Sequence, residues 1–354
     1  MTDTLQTAVI GVTGYAGAEL ARLLLHHPRL KSVPPIFAGR VDAKDEARGG
    51  VPLAEIHPQL AGSNTAGLKL EPFSWELLTS RGVQVLFLAT PHEQSREWVP
   101  EALDRGIRVI DLSGAWRLTD SANRAIYNFE DEGTELAAET QAQAVYGMPE
   151  LHRVEIGGAR LVANPGCYAT SIILALKPLV SAGLVDLDRG IVADAKSGVS
   201  GAGKAPTAKT HFMYAADNLS AYGLFTHRHT GELLEQIGLD KDQIVFAPHL
   251  LPIPRGILST IYVRFGSSQT AESISQIYRE FFAHSPMVRL HNKTLPQILH
   301  VVHTNYADIG FQLSSDGRRA VIVSCLDKLL KGASSQAVQN LNVMQGWFEA
   351  EGLE

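Results

Sequence analysis

The chain has 354 residues, 45% of them hydrophobic and 19% charged, with a formal net charge of −6. Its length exceeds one average domain and predicts two, each able to bury a core. The charge balance excludes general attraction to nucleic acid or to an anionic membrane, so an anionic ligand needs its own local cluster of arginine, lysine or backbone N–H donors.

Met1–Gln6 carries no basic stretch, and the first apolar run ends at Gly11, too early for a signal peptide or a membrane span. That run, Ala8-Val9-Ile10, is followed by Gly11-Val12-Thr13-Gly14-Tyr15-Ala16-Gly17 and then by Ala18–Leu25 with apolar residues at helical spacing. Strand, glycine turn and helix open a dinucleotide-binding βαβ unit. Gly11 permits the tight turn, Gly14 the approach of a pyrophosphate, and Gly17 close helix–strand packing; Thr13, Tyr15 and Ala16 complete the candidate cofactor turn. A second strand, Val33–Phe37, runs into Ala38-Gly39-Arg40 without the acid expected for a ribose 2′-hydroxyl. Arg40 is either the partner of a 2′-phosphate, which predicts NADP, or a solvated surface charge. Val83–Ala89 and Arg108–Leu112 read as buried strands around a helix at Ser95–Asp104, and Thr90 joins the cofactor candidates. The alternation predicts an α/β fold with a Rossmann-like, doubly wound parallel sheet.

After Ala163 the texture changes to a mixed α+β domain. Cys167–Leu179 reads as an apolar helix behind Asn164-Pro165-Gly166. Strands are expected at Ile191–Ala195, Gln243–Pro248, Ser259–Phe265 and Ala320–Cys325, and a last helix at Ser334–Phe348. Cys167 and Cys325 are the only cysteines, form no disulfide framework and predict a reducing, cytoplasmic setting. At a helix start, leading N–H groups and the helix dipole favour a thiolate, so Cys167 is a candidate nucleophile; its alternative is a small buried hydrophobe. Cys325 sits mid-strand and reads as core.

Lys196–Lys204 is either a phosphate cradle of backbone N–H groups and hydroxyls, centred on Ser197 and Gly198, or a flexible loop; it lacks Walker A spacing. Thr226-His227-Arg228-His229 offers two histidines without a partner at metal-like spacing, so no metal is expected and one of them suits general acid–base chemistry. His211, His249, His300 and His303 read as structural. Thr230-Gly231-Glu232 resembles a helix start, with Thr230 as cap and Glu232 complementing the dipole. A charged His229 would be disfavoured before that end, which points to His227 as the residue that stores a proton. Arg117, Arg228 and Arg255 flank turns and are candidates for substrate anions.

Taken in order, these motifs resemble the N-acetyl-γ-glutamyl-phosphate reductases, a family of the semialdehyde dehydrogenase superfamily, over nearly the whole length. The resemblance is carried by Gly11–Gly17, Asp111–Leu118, Asn164–Tyr168, Ser197–Gly203, Tyr222 with His227-Arg228-His229, Pro248–Gly256 and Lys331–Asn340. It departs at Gly231, where the family has proline, and at Gly114-Ala115-Trp116, where Ala-Asp-Phe is common. The family implies an NADPH-dependent enzyme of arginine biosynthesis that acts on a small anionic acyl phosphate, with Cys167 as nucleophile and His227 as acid/base. It implies Asn340 near the nicotinamide. For the chemistry itself, Arg117 and Ser197–Gly203 are the candidate phosphate holders, Arg255 a partner for the substrate α-carboxylate and the Asn164 side chain an oxyanion donor, with Gly198 also toward cofactor. Residues 1–163 and 327–354 would then form the NADP-binding domain, and 164–326 the catalytic, substrate and dimerisation domain of a homo-oligomer, dimer or tetramer. Readings with the same chemistry on aspartyl phosphate or an acetylated or carrier-linked aminoadipyl phosphate, or as a non-catalytic NADP sensor, remain open at this point.

Overall fold

The computed structural model describes residues 4–62, 65–208 and 210–354, the side chain of Ala202 excepted. Met1–Asp3, part of the stretch read above for a leader, lie outside the described residues. The chain divides into two compact units: Met1–Arg117, Phe129–Asn164 and Ser334–Glu354 form the first, and Leu118–Asn128 with Pro165–Ala333 the second.

The first unit is built on eight strands: β1 (Thr7–Ile10), β2 (Ile36–Gly39), β3 (Val51–Pro52), β4 (Lys69–Pro72), β5 (Val85–Leu88), β6 (Arg108–Asp111), β7 (Ala144–Tyr146) and β8 (Leu161–Ala163). They lie in the order β3-β4-β2-β1-β5-β6-β8-β7. The β3–β4 pair is antiparallel; every other pair is parallel. Strands covered on both faces are apolar, which is why β5 is an uninterrupted apolar run and β1 departs from one only at Thr7, with every residue of both buried. β1 has β2 on one side and β5 on the other, so the winding direction reverses there, and the loops after these strands form the crevice in which doubly wound sheets bind ligands. The second strand begins three residues later than its apolar pattern predicts, at Ile36, because Pro34 and Pro35 cannot donate to a ladder. The short strands β3, β4, β7 and β8 carry too little pattern to be read beforehand.

The second unit has β9 (Ile191–Gly198), β10 (Ser220–Ala221), β11 (Ile244–Leu251), β12 (Ile257–Arg264), β13 (Val288–His291), β14 (Ala307–Leu313) and β15 (Arg319–Leu326). Their order is β10-β11-β9-β12-β15-β14-β13, with parallel and antiparallel pairs mixed. The helix Cys167–Ser181 packs on β12 and β15, and eleven of its fifteen residues are buried. Lying between β11 and β12, β9 is held past its predicted end at Ala195 as far as Gly198: Ser197 pairs with Ile257 and Gly198 with Leu251. This turns the first three residues of the glycine-rich stretch, Lys196–Gly198, into strand. β13 and β14 were not anticipated, since β14 buries an acid, Asp308, that breaks its apolar pattern. Asp308 is balanced by Arg289 at 2.6 Å and His291 at 2.8 Å. Among the described residues no helix is long and apolar enough to cross a membrane.

Candidate active site

In the first unit the loops after β1, β2 and β5 wall a groove of about 480 Å³. Gly11 has φ +94° and lies so close to the Ala89 carbonyl that a side chain would collide with it. A side chain on Gly17 would strike the Gly11 carbonyl and come within 2.7 Å of the Val12 Cα. Both positions therefore require glycine, and Gly14 precedes the helix Tyr15–His26 with no capping side chain. The leading N–H groups of that helix suit an anion. Thr13, Gly14, Arg40 and Thr90 line the groove; Tyr15, Ala16 and Gly17 lie in the first turn behind it. The Thr90 hydroxyl is buried with no hydrogen-bond partner, an orphan group of the kind a ligand satisfies. Arg40 is exposed, and the nearby acid Asp42 uses its carboxylate to cap the next helix through the Asp45 N–H at 2.8 Å. The residues present fit a nicotinamide dinucleotide.

Also in the first unit, Asn164, Arg117 and Asn340 meet in a buried network. Arg117 Nε donates to the Asn164 carbonyl at 2.7 Å, and its terminal nitrogen to the Leu112 carbonyl at 2.9 Å. Asn340 Nδ2 donates to Asn164 Oδ1 at 3.0 Å and to the Gly147 carbonyl at 2.8 Å. These bonds set the backbone of Asn164 one residue before the second unit begins.

In the second unit Cys167 is the first residue of its helix and is partly exposed. It faces a pocket of about 320 Å³ together with Tyr168, Tyr222, His227, Arg228 and Lys328. Gly166 could not carry a side chain, which would run into His229 and Glu232. Gly332 is equally constrained, since a side chain there would lie 2.8 Å from the Cys167 Cβ. Glu232 is fully buried and accepts the Gly166 N–H at 2.9 Å, pinning the backbone beside the thiol. Its other oxygen stands 3.9 Å from His229 Nε2.

The histidine segment differs from its sequence reading. Arg228 already has helical angles, so the helix runs His229–Ile237 and Thr230 lies inside it instead of capping it. Gly231 falls in the first turn, 2.9 Å from Leu118 as measured to where a side-chain carbon would sit. The rings of His227 and His229 lie 4.8 Å apart, and His227 Nδ1 accepts the His229 backbone N–H at 3.1 Å. That bond assigns the ring hydrogen of neutral His227 to Nε2. Burial first, then Arg228 and Lys328, pulls His227 down to about 4. It is thus a neutral imidazole near pH 7 that can donate from Nε2, and not the store of positive charge expected from sequence. Burial likewise lifts the Tyr222 hydroxyl to about 12.

Ser197 is buried beside Gly198, and the Lys328 ammonium donates to the Ser197 hydroxyl and, at 2.7 Å, to the Gly198 carbonyl. Arg255 is committed elsewhere in this unit: its Nε lies 3.2 Å from Asp327 and its terminal nitrogen 2.9 Å from His303 Nδ1. Cys325 is fully buried, and burial with nearby Asp308 raises its thiol to about 12. Lys328 and the tether role of Glu232 escaped the sequence reading. Lys328 stands in Asp327-Lys328-Leu329 with no local pattern to mark it; only the pairing of β9 with β12 and of β12 with β15 shows how it reaches the glycine-rich stretch.

Models of the semialdehyde dehydrogenase NAD-binding domain and of the semialdehyde dehydrogenase dimerisation domain match residues 6–159 and 167–328. The chain therefore belongs with the semialdehyde dehydrogenases, a class of oxidoreductases. It is 40% identical over 351 residues to the N-acetyl-gamma-glutamyl-phosphate reductase of Methanocaldococcus jannaschii, covering 98% of this chain and 97% of that one. Against the Escherichia coli enzyme of the same name identity is 41% over 350 residues, covering 99% of each. Within the semialdehyde dehydrogenases, the chain belongs to the N-acetyl-γ-glutamyl-phosphate reductase family. The fold is shared with aspartate semialdehyde dehydrogenase II of Vibrio cholerae, with a TM-score of 0.70 at 17% identity over 97% of this chain and 99% of that one.

Proposed function

We propose that this protein reduces N-acetyl-γ-glutamyl phosphate to N-acetylglutamate 5-semialdehyde and inorganic phosphate in arginine biosynthesis. The cofactor in this reading is NADPH, and the route is a thioester on Cys167. The observation that carries the reading is the pocket itself: a thiol at a helix start, a neutral histidine with an assigned tautomer, and a lining that includes Arg228 and Lys328. A protein of net charge −6 has here concentrated cations where an acyl phosphate would sit.

Cys167 attacks the acyl carbon as thiolate; the C–S bond forms, the bond to the phosphoryl oxygen breaks, and phosphate leaves. His227 donates its Nε2 proton to the departing phosphate and regains one from solvent, which accounts for the single proton the reaction consumes. A bound NADPH supplies the hydride that reduces the thioester carbon. The resulting oxyanion is met by the Cys167 N–H at the helix start. Its collapse breaks the C–S bond, releasing aldehyde and returning the thiolate. Ser197 and Gly198 border the substrate, whereas Arg117 and Arg255, bonded within their own units, act by holding Asn164 and the Asp327 loop. Arg40 pairs with the 2′-phosphate, and Asn340 stands at the nicotinamide end. In this reading the first unit carries the cofactor, and the second, which takes in residues 118–128 and 327–333, carries the substrate and the contacts of a cytoplasmic homo-oligomer.

The test is to mix the protein with NADPH and N-acetylglutamyl phosphate and follow NADPH absorbance. Rapid oxidation is expected. Faster turnover of aspartyl or N-acetyl-aminoadipyl phosphate would reassign the substrate, and NADPH binding with no turnover of any of them would leave a sensor.

A further inference from the structure

Lys328 is the most deeply buried cation of the cysteine pocket, 4% exposed, and neither the motifs nor the fold gave it a task. Its ammonium donates to two neutral acceptors, the Ser197 hydroxyl and the Gly198 carbonyl. Among the described residues no carboxylate lies within ion-pair distance of it. The neighbouring Asp327 turns its carboxylate away: one oxygen accepts the Leu329 N–H at 2.8 Å, and the other accepts the His303 N–H at 2.8 Å and faces Arg255 at 3.2 Å. Gly201 leaves room for the ammonium where it stands, since a side-chain carbon there would lie 2.0 Å from its nitrogen. An ammonium removed from water without an anion is costly, and burial pulls Lys328 below the ordinary lysine range, opposed by attraction to Cys167 and Asp327. The other pocket walls supply Arg228 and two histidines and no acid. A cation so placed is completed by an anion that arrives with the substrate.

We propose that Lys328 is a substrate-binding residue that receives the phosphoryl group of the acyl phosphate beside Cys167, with the Ser197 hydroxyl as its fixed neighbour. The assignment rests on the acyl-phosphate reading above. It places the leaving group on the Lys328 side of the thiol. As the C–S bond forms and the C–O bond breaks, the charge that collects on phosphate is met by the ammonium, and the proton comes from His227.

The experiment uses the full chain and inorganic phosphate as probe. Alkylation of Cys167 by iodoacetamide is timed with phosphate and with chloride at equal ionic strength, in the wild type, K328M and K328Q. Phosphate should slow labelling of the wild type and have at least a tenfold weaker effect in both variants. In the reverse direction, with semialdehyde, NADP and phosphate, both variants should raise the KM for phosphate at least tenfold with a smaller change in the KM for NADP. Equal protection in wild type and variants, or none in the wild type, overturns the proposal. K328Q keeps a donor for Ser197, so if K328M fails to fold the comparison stands on K328Q. A wild type that shows phosphate protection but turns over no acyl phosphate would sink the catalytic reading and leave the anion site standing.

Discussion

The groove of the first unit and the pocket of the second are made of different material. The groove grows out of one short local turn: Gly11, Gly14 and Gly17 follow one another in seven residues, and the backbone packs so closely at Gly11 and Gly17 that neither could carry a side chain. The pocket is walled by side chains that meet only through tertiary structure, Cys167 from one helix, His227 and Arg228 from the start of another, and Lys328 from beyond β15. A site made of local backbone can be damaged by one extra carbon, whereas a site made of converging side chains fails one function at a time.

The sharpest break between the two is expected at Cys167. Cys167→Ala should reduce turnover to background while NADPH still titrates into the groove by fluorescence; loss of NADPH binding together with activity would mean that the two sites are not separable. Next comes His227→Asn, expected to lower turnover by about a hundredfold, the usual scale for a lost general acid or base. His229→Asn should retain most of the turnover, and the opposite ranking would move the role. His227 also predicts an acid sensitivity. Its folded-state value of about 4 lies below the ordinary 6.5, so the unfolded chain takes up the proton first. Its contribution is intact above that ordinary value and erodes as the pH falls toward 4. Urea denaturation curves of His227→Asn should show a flatter loss across that window than the wild type.

A milder effect is expected in the groove. Arg40→Ala should raise the KM for NADPH about tenfold, as befits a charge-assisted pair worth roughly 1.5–3 kcal/mol, and leave that for NADH nearly unchanged. Equal effects on both cofactors would remove Arg40 from discrimination. The smallest change is reserved for Cys325→Ala. Activity should persist with a slightly lowered Tm, because that thiol is core, and iodoacetamide should leave it unlabelled in the folded protein.

The same contrast explains what could be read beforehand. The central strands of the parallel sheet, the glycine turn and the cysteine helix announce themselves through periodicity and short-range geometry, and they stand within a few residues of where the sequence indicated. The histidine segment did not, because its helix start is decided by the packing of Gly231 against Leu118 and by Glu232, whose carboxylate is spent on the Gly166 N–H and not on its own helix end. The extension of β9 to Gly198 followed from two flanking strands, which a single stretch of sequence cannot display. Lys328 is an unremarkable lysine until its ammonium is seen beside Ser197.

The helix Ser335–Met344 belongs to the unit that also holds β1, and nine of its ten residues are buried there. Asn342 takes His27 as a partner at 3.0 Å, and Asn340 ties back to Gly147. On the ribosome this inverts the usual order, in which the segment made first folds first. The stretch Pro165–Ala333 has all its strands in hand, together with Leu118–Asn128 made earlier, while the first unit still lacks a wall. Nascent chains should therefore protect the second unit from protease first, and the half begun earliest should be the one that waits longest on a chaperone.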